Sequence, residues 1–472
     1  MQYKPRCYQL GATHFLLANN RGALFMDMGL GKTSSVLNAI DTLIRCGEEG
    51  MVLVVAPLRV ARNTWTDEIN KWAHTRYLTV DEIVGTQQQR VRALQSDTQI
   101  KTINYENLVW LVGACGKNWP FSTIVFDEST KLKSLRTHYK KDGTGKPFMV
   151  CTGGARASAI VKHAIYRTER VWLLTGTPCQ NSLMDLWAQI FFIDGGKRLG
   201  NSFTAFEDRW FKTGYNGYTK TPVPGAQEQI QDVIKDVVYT LRAEDYLDLG
   251  KEVVNTIYVN LPPKAEEQYL QMEEEMFTRI FAGKVEAFSA AAKTMKCRQI
   301  ANGAIYYDDG KFECVHDEKL LALESVIEEA NGMPVIVVYS FKSDLARLRK
   351  AFPKGAVFDK NPKTEKDFKA GKIPILFLHP DSAGHGVDGL QKVTNIICFY
   401  SVDWDGEKRT QTIARIGKVR QFQAGFNRPV FIHQIIARDT VDEIILDRVA
   451  NKLTVEEALK KALAKRGKPD GH

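Results

Sequence analysis

The eight cysteines of this chain include no CxxC pair. Cys7, Cys46, Cys115, Cys151, Cys179, Cys297, Cys314 and Cys398 are scattered. That excludes a disulfide framework and a zinc module of ordinary spacing, and suits thiols in a reducing compartment. Cys115, His138, Cys151 and His163 can be gathered on paper, but their spacing matches no ligand pattern. Missing too is any apolar run long enough to span a bilayer. The opening MQYKPRCYQL is neither a secretory signal nor a transit sequence. A soluble, intracellular protein without membrane attachment is the expectation. There is no extreme of charge either. Lys and Arg number 64 against 55 Asp and Glu, a net charge of +9 that accommodates a polyanionic partner without demanding one. At 472 residues the chain is too long for one ordinary core, and two or three domains are expected.

What is present centres on Ala23 to Thr33, ALFMDMGLGKT, an apolar strand running into Gly29, Gly31, Lys32 and Thr33. Glycines let backbone N–H groups close around phosphate oxygens without Cβ clashes. A lysine reaches the β- and γ-phosphates, a hydroxyl holds Mg²⁺, and a helix N-terminus beneath adds its dipole. The helix is there in SSVLNAIDTLIRC, whose apolar residues recur at helical spacing. Met26 stands where the general pattern has its first glycine.

Pro5 to Asn19 reads as an amphipathic helix carrying Gln9, whose amide can donate to N7 and accept from N6 of an adenine. Met51 to Pro57 (MVLVVAP) is a continuous apolar run, the mark of a strand buried on both faces. Leu58 to Trp72 has helical spacing. Ile100 to Tyr105, Ser122 to Phe126 and Val171 to Leu174 are further strand candidates. Strands alternating with helices imply a parallel sheet with ligands at its carboxyl end. After Trp187 no sheet-like alternation is evident, so an inserted helical region is expected. From Lys319 the αβ rhythm returns, with strands at Pro334 to Tyr339, Ile373 to Leu378, Asn395 to Tyr400 and Val430 to Ile436.

Phe126-Asp127-Glu128-Ser129-Thr130 follows an apolar strand. Asp127 there can hold Mg²⁺ through water, and Glu128 can orient and deprotonate an attacking water. Thr175-Gly176-Thr177-Pro178 follows the next strand and can pass the state of the γ-phosphate onward. In the later αβ unit, HPDSAGHGVDGL follows a strand. Its Gly384, Gly386 and Gly389 permit close approach, with Asp388 as a polar anchor. QTIARIGKVRQ places Gln411 and Arg415 four apart, on one helical face. Arg415, Lys418 and Arg420 make a cationic cluster, and an arginine at a γ-phosphate is worth roughly 10³–10⁵ in rate. Between the Asp-Glu pair and TGTP runs a basic, glycine-containing stretch. It includes Lys131, Lys133, Arg136, Lys140, Lys141 and Lys146, with Asp142 the only acid from Lys131 to Arg167 and Tyr139 and Phe148 among its aromatics. It reads equally as a solvated charge run or as a mobile loop for sequence-independent phosphate contact.

In their order these motifs resemble helicase superfamily two, specifically its Swi/Snf-like branch of DNA-dependent ATPases. YQLGATHFL resembles the glutamine motif and DMGLGKT the ATP loop. VLVVAPLRVARNTWTDEINKW, TINYENL, FDEST and LLTGTPCQN follow in sequence. LPPKAEEQY and MKCRQIANG resemble the linking helical region. VIVVYSF, DSAGHGVDGLQ, FYSVDWDGEKRTQTIARI and DTVDEIILDRVANK complete a second lobe.

The resemblance implies an α/β fold of two RecA-like parallel-sheet lobes in tandem with a helical insertion between them. The lobes are expected at residues 1–195 and 313–450, the intervening helical region at 196–312 and a basic tail at 451–472. It implies ATP and Mg²⁺ bound in the cleft between lobes, and a partner in DNA, double-stranded rather than RNA. Gln9, Gly29, Gly31, Lys32, Thr33, Gly386 and Asp388 would bind nucleotide, and Thr33 and Asp127 the metal. Lys32, Asp127, Glu128, Arg415 and Arg420 would be catalytic. Lys131, Lys133, Lys140, Lys141 and Lys146 would meet nucleic acid.

The activity so implied is a translocase coupling ATP hydrolysis to movement on or remodelling of duplex DNA. The alternatives are a strand-separating DNA or RNA helicase and an ATP-switched nucleic-acid clamp with little turnover. Departures from the family pattern are Lys418 in place of a second arginine, Arg420 in place of a glycine, Ser129-Thr130 in place of Ala-His, and a longer basic insert at Arg136 to Arg156. Bare motors of this kind resemble short members encoded by phages and bacteria, so the expected compartment is the cytoplasm of a bacterial or phage-infected cell.

Overall fold

The computed structural model describes residues 1–48, 50–58, 60–179, 182–213, 220–247, 249–281, 294–307, 311–359, 361–383 and 388–451. The chain divides into two compact units, Met1–Leu247 and Asp248–His472.

In the first unit the strands are β1 (Arg21–Met26), β2 (Met51–Ala56), β3 (Val80–Ile83), β4 (Ile100–Asn104) and β5 (Phe121–Asp127). Next come β6 (Leu135–Lys141), β7 (Pro147–Gly153), β8 (Arg170–Thr175), β9 (Phe211–Thr213), β10 (Lys220–Pro222) and β11 (Val238–Leu241). Seven of them form one sheet in the order β11-β1-β8-β5-β2-β4-β3, and every pairing in it is parallel. Parallel pairing needs crossovers that place helices over the sheet, so both faces lose water. This accounts for the unbroken run MVLVVA. Leu53 and Val55 enter one apolar cluster, while Val52 and Val54 point the other way and are buried as well. The apolar run that ends at Met26 passes into the helix Lys32–Arg45, and Asp127 is the last residue of β5. β8 lies between β1 and β5, so three strand ends meet at the carboxyl edge of the sheet.

The second unit continues with β12 (Glu252–Val259), β13 (Ala304–Tyr306), β14 (Phe312–Cys314), β15 (Val335–Val338) and β16 (Ala356–Val357). It ends with β17 (Ile375–Leu378), β18 (Ile396–Phe399) and β19 (Val430–Ala437). Its main sheet has the order β12-β19-β18-β15-β17-β16, again all parallel. Alternate residues serve opposite faces. Ile336, Val338, Leu376 and Leu378 pack in one cluster, Val335, Val337, Ile375 and Phe377 in another. Both units are thus RecA-like parallel αβ layers.

Two expectations are corrected by this architecture. The stretch 196–312 is not free of sheet: β11 pairs with β1 at the edge of the first sheet, and β12 pairs with β19 at the edge of the second. The division between the units falls between them, at Leu247. The glycine-containing basic stretch is not an irregular loop either; β6 and β7 form an antiparallel hairpin. The tail past Asn451 lies outside the described residues.

Candidate active site

Beyond β1 the chain turns through Gly29 and Gly31, whose φ angles are +86° and +85°. Gly31 then caps the helix Lys32–Arg45 from the left-handed region, with no side-chain cap hydrogen bond. The positive φ is what calls for glycine; a Cβ there would lie 2.2 Å from Gln9 Nε2 and 2.8 Å from Ser34 Oγ, side-chain atoms that would have to move aside. Gln9, on the helix Cys7–Ala18, donates from Nε2 to the Leu30 carbonyl at 3.2 Å and accepts at Oε1 from the Arg6 N–H at 2.9 Å. A primary amide has two donors and two acceptor positions, and these bonds use one of each. Lys32 Nζ donates to the carbonyls of Met26, at 2.8 Å, and Asp27, at 3.4 Å. Asp27 is itself fixed, since its Oδ2 accepts from the Ala243 N–H at 2.8 Å. Thr33 is the second residue of the helix.

Asp127 is buried, and Trp65 Nε1 donates to its Oδ2 at 3.0 Å. Burial pushes the carboxyl above its usual range, while the Lys32 charge and the Trp65 N–H pull it part of the way back. Lys32 and Asp127 therefore sense one another at the sheet edge. Glu128 adopts φ 62° and ψ 59°, a left-handed conformation costly for a residue with a Cβ. Tyr105 holds it there: its hydroxyl donates to the carbonyls of Asp127 and Glu128 at 2.9 and 3.1 Å. The TGTP turn completes the cluster. A Cβ on Gly176 would lie 3.0 Å from Met28 Cγ and 3.4 Å from both Met28 N and the Met26 carbonyl. Thr177 Oγ1 is buried without a hydrogen-bond partner among the described residues. Ser129 Oγ donates to Gln189 Oε1 at 2.7 Å, and Gln189 Nε2 donates to the Pro178 carbonyl at 2.7 Å. The serine of the carboxylate motif is thereby tied to the TGTP turn.

The first unit thus brings Gln9, Gly29, Gly31, Lys32, Thr33, Asp127 and Glu128 to one region. Trp65 and Tyr105, which lie in the quoted motifs VLVVAPLRVARNTWTDEINKW and TINYENL without an assigned role, join them there, as does Gln189, which no quoted motif includes. Gln189 carries the clearest signal, an amide inside the apolar run of Leu186 to Ile193 and fully buried.

In the second unit, Asp388 accepts from the Gly389 N–H at 2.8 Å and from Gln391 Nε2 at 3.0 Å, and pairs with the Arg420 guanidinium. Gly386 lies outside the described residues. The helix Gly406–Ile413 carries Gln411 but stops before Arg415, whose N–H bonds the Thr412 carbonyl in a turn. The expected shared helical face for Gln411 and Arg415 is therefore corrected. Lys418 opens the next helix, Lys418–Gln423, which carries Arg420.

The five lysines do not form one set. Lys140, Lys141 and Lys146 are exposed on the β6–β7 hairpin, and Lys131 is exposed in the turn Ser129–Leu132. Lys133 lies 3.5 Å from Asp185 and is only 32 % exposed, so its charge is already matched. No helix among the described residues is long and apolar enough to cross a membrane.

The SNF2-related domain matches residues 8–304, well over half of the chain. The chain belongs to the SNF2-related family. It is similar to protein p41 of Acyrthosiphon pisum secondary endosymbiont phage 1, 45% identical over 471 residues, which cover 98% of this chain and 99% of that one. It is also similar to the nuclear protein STH1/NPS1 of Saccharomyces cerevisiae, 27% identical over 95% of this chain. There this SNF2-related chain spans only 34% of the relative's length. Among solved structures it is similar to the Sulfolobus solfataricus SWI2/SNF2 ATPase core in complex with dsDNA. That match is 20% identical, covers 99% of this chain and 96% of the other, and has a TM-score of 0.45.

Proposed function

We propose that this SNF2-related protein couples ATP hydrolysis to movement on, or remodelling of, double-stranded DNA. The observation that carries the reading is the carboxyl edge of the first sheet. There a left-handed Gly31 opens a helix, Lys32 is seated over strand-end carbonyls, and its charge acts on the buried Asp127. These residues fit a nucleoside triphosphate with Mg²⁺: a glycine cradle, a lysine able to exchange carbonyls for phosphate oxygens, a hydroxyl and a buried carboxylate. Thr33 and Asp127 would hold the metal, Asp127 through water. When bound, Mg²⁺ supplies charge that offsets the phosphates. Glu128 orients and deprotonates the attacking water, with Tyr105 fixing the backbone from which it reaches. Gln9 turns its remaining donor and acceptor to the adenine edge. Arg415 and Arg420, in the second unit, offer guanidinium charge of the kind that stabilises a phosphoryl group in transfer. Lys131, Lys140, Lys141 and Lys146 meet DNA phosphates.

The pairing of Arg420 with Asp388, beside a lysine at 418, favours a second reading, an ATP-switched DNA clamp with little turnover. A lysine cannot reproduce the guanidinium fork.

The deciding experiment measures ATPase rate with no nucleic acid, single-stranded DNA, duplex DNA and RNA side by side. Strong stimulation by duplex DNA is expected, and Glu128→Gln should remove about 10²–10⁴ of the stimulated rate. Lys32→Ala should abolish it. A rate indifferent to every polynucleotide overturns the motor reading. DNA binding that responds to ATP while phosphate release stays flat selects the clamp.

A further inference from the structure

The lysines of the β6–β7 hairpin suit phosphate, but charge does not account for its aromatics. Its base is fixed. Leu135, Thr137 and Cys151 are buried, Thr137 Oγ1 donates to the Asn201 carbonyl at 2.8 Å, and the Arg136 guanidinium lies 3.6 Å from the Phe203 ring centroid. Its far end is open and cationic. Lys140 and Lys141 close β6, and Lys146 lies in the connecting turn. The one carboxylate at that end is engaged by its own turn. Asp142 Oδ1 accepts from the N–H of Thr144 and of Lys146 at 2.8 and 2.9 Å, and from Thr144 Oγ1 at 2.6 Å.

Between base and tip stand Tyr139 and Phe148, 46 % and 47 % exposed. The register pairs Tyr139 with Met149 and Lys140 with Phe148. Successive residues of a strand point to opposite faces, so the two rings project from opposite sides of a two-stranded ribbon. Tyr166, 62 % exposed, lies beside Tyr139; its phenol is raised by burial first and by Tyr139 second.

Single exposed aromatics need no explanation. Two on opposite faces of one anchored cationic ribbon do. Lysines alone meet phosphates, which carry no preference for an open structure. A ring face can stack only on a base whose own face is uncovered, and in an intact duplex every interior base is covered by its neighbours.

We infer that the β6–β7 hairpin is a base-stacking wedge that engages unpaired bases where a duplex opens, Tyr139 serving one face of the ribbon and Phe148 the other, with Lys140, Lys141 and Lys146 holding the adjoining phosphates. This rests on the proposal that the chain acts on DNA and names the DNA structure it prefers. Stacking tolerates any base, so the preference is for geometry and not for sequence.

The test uses the full chain and 2-aminopurine placed at the junction of a forked duplex, beside a blunt duplex of the same length. Wild type should bind the fork more tightly and change the 2-aminopurine fluorescence. Tyr139→Ala/Phe148→Ala should lose about tenfold or more of the fork preference and the fluorescence change, with the salt slope on blunt duplex retained. Tyr139→Phe/Phe148→Tyr should restore both. Lys140→Ala/Lys141→Ala/Lys146→Ala should instead flatten the salt slope on both substrates, by about 0.9 for each phosphate left without its lysine. A wild type that binds no nucleic acid overturns the functional proposal itself. Equal binding to fork and duplex, or a double-alanine variant that keeps the preference, overturns the wedge alone.

Discussion

Replacing Gly31 by alanine tests the geometry of the phosphate loop at its tightest point. The residue sits at φ +85° and ψ +38°, so any L side chain there pays about 1–2 kcal/mol. The added Cβ would also stand 2.2 Å from Gln9 Nε2. Gln9 must then swing aside and give up its 3.2 Å hydrogen bond to the Leu30 carbonyl, a further loss of about 0.5–1.5 kcal/mol. Gly31→Ala should therefore destabilise the first unit by about 2–3 kcal/mol. For a unit of residues 1–247 this lowers its melting temperature by about 5–10 °C. The assay is thermal unfolding of the full chain, repeated in a Gln9→Ala background. With the amide gone, the backbone penalty and the 2.8 Å approach to Ser34 Oγ remain, and the cost of Gly31→Ala should drop by about 1 kcal/mol. Equal cost in both backgrounds would refute the contact, and with it the placement of Gln9 over the loop.

The second unit carries a pH dependence in His316, whose buried ring bonds the Ile300 carbonyl at Nε2 (2.8 Å) and accepts the Glu318 N–H at Nδ1 (3.3 Å). Burial, with Arg347 and Lys319 nearby, lowers its pKa to about 4, so the unfolded chain takes the proton first as pH falls. Stability should decline from about pH 6.5 towards pH 4 by up to roughly 3 kcal/mol. Chemical denaturation at about pH 7.5 and about pH 5 should show this, and His316→Gln should flatten it; an unaltered slope would assign the effect elsewhere. Lys319 and Asp442, 0 % and 1 % exposed, pair at 2.6 Å. Lys319→Met, which strands the carboxylate, should cost about 3–5 kcal/mol, and adding Asp442→Asn should restore much of it. A double variant no more stable than the single would deny the pairing its role.

The parts of this fold that are legible in sequence are those whose burial is uniform. MVLVVA, VIVV and IICF are apolar without interruption because helices cover both faces of each sheet. The edge strands are another matter. β12, EVVNTIYV, leaves Val254 55 % and Tyr258 47 % exposed, so no alternation betrays it. β11 is only VYTL, four residues whose strand character comes from pairing with β1. The hairpin is hidden for a related reason. Beyond Tyr139 both of its faces meet solvent, so its lysines and glycines read as a loop. At the site, local sequence names the groups that act on a ligand but not those that hold them. Trp65 and Asp127 are 62 residues apart, Ser129 and Gln189 60, and only the folded sheet reveals either pair.

The same distinction explains why the phosphate loop tolerates Met26 where the general pattern has glycine. Met26 is the last residue of β1 and its side chain is fully buried in the first unit. Its φ is not positive, so no glycine is demanded by conformation. What the loop takes from this position is the carbonyl, which accepts from Lys32 Nζ at 2.8 Å. Every residue type supplies that carbonyl, and a methionine adds apolar area to the core behind it. Gly31 has no such latitude, since its φ is +85°. Within one short motif, then, one glycine position is dispensable and another is not, and the difference lies in whether the backbone there must adopt a positive φ.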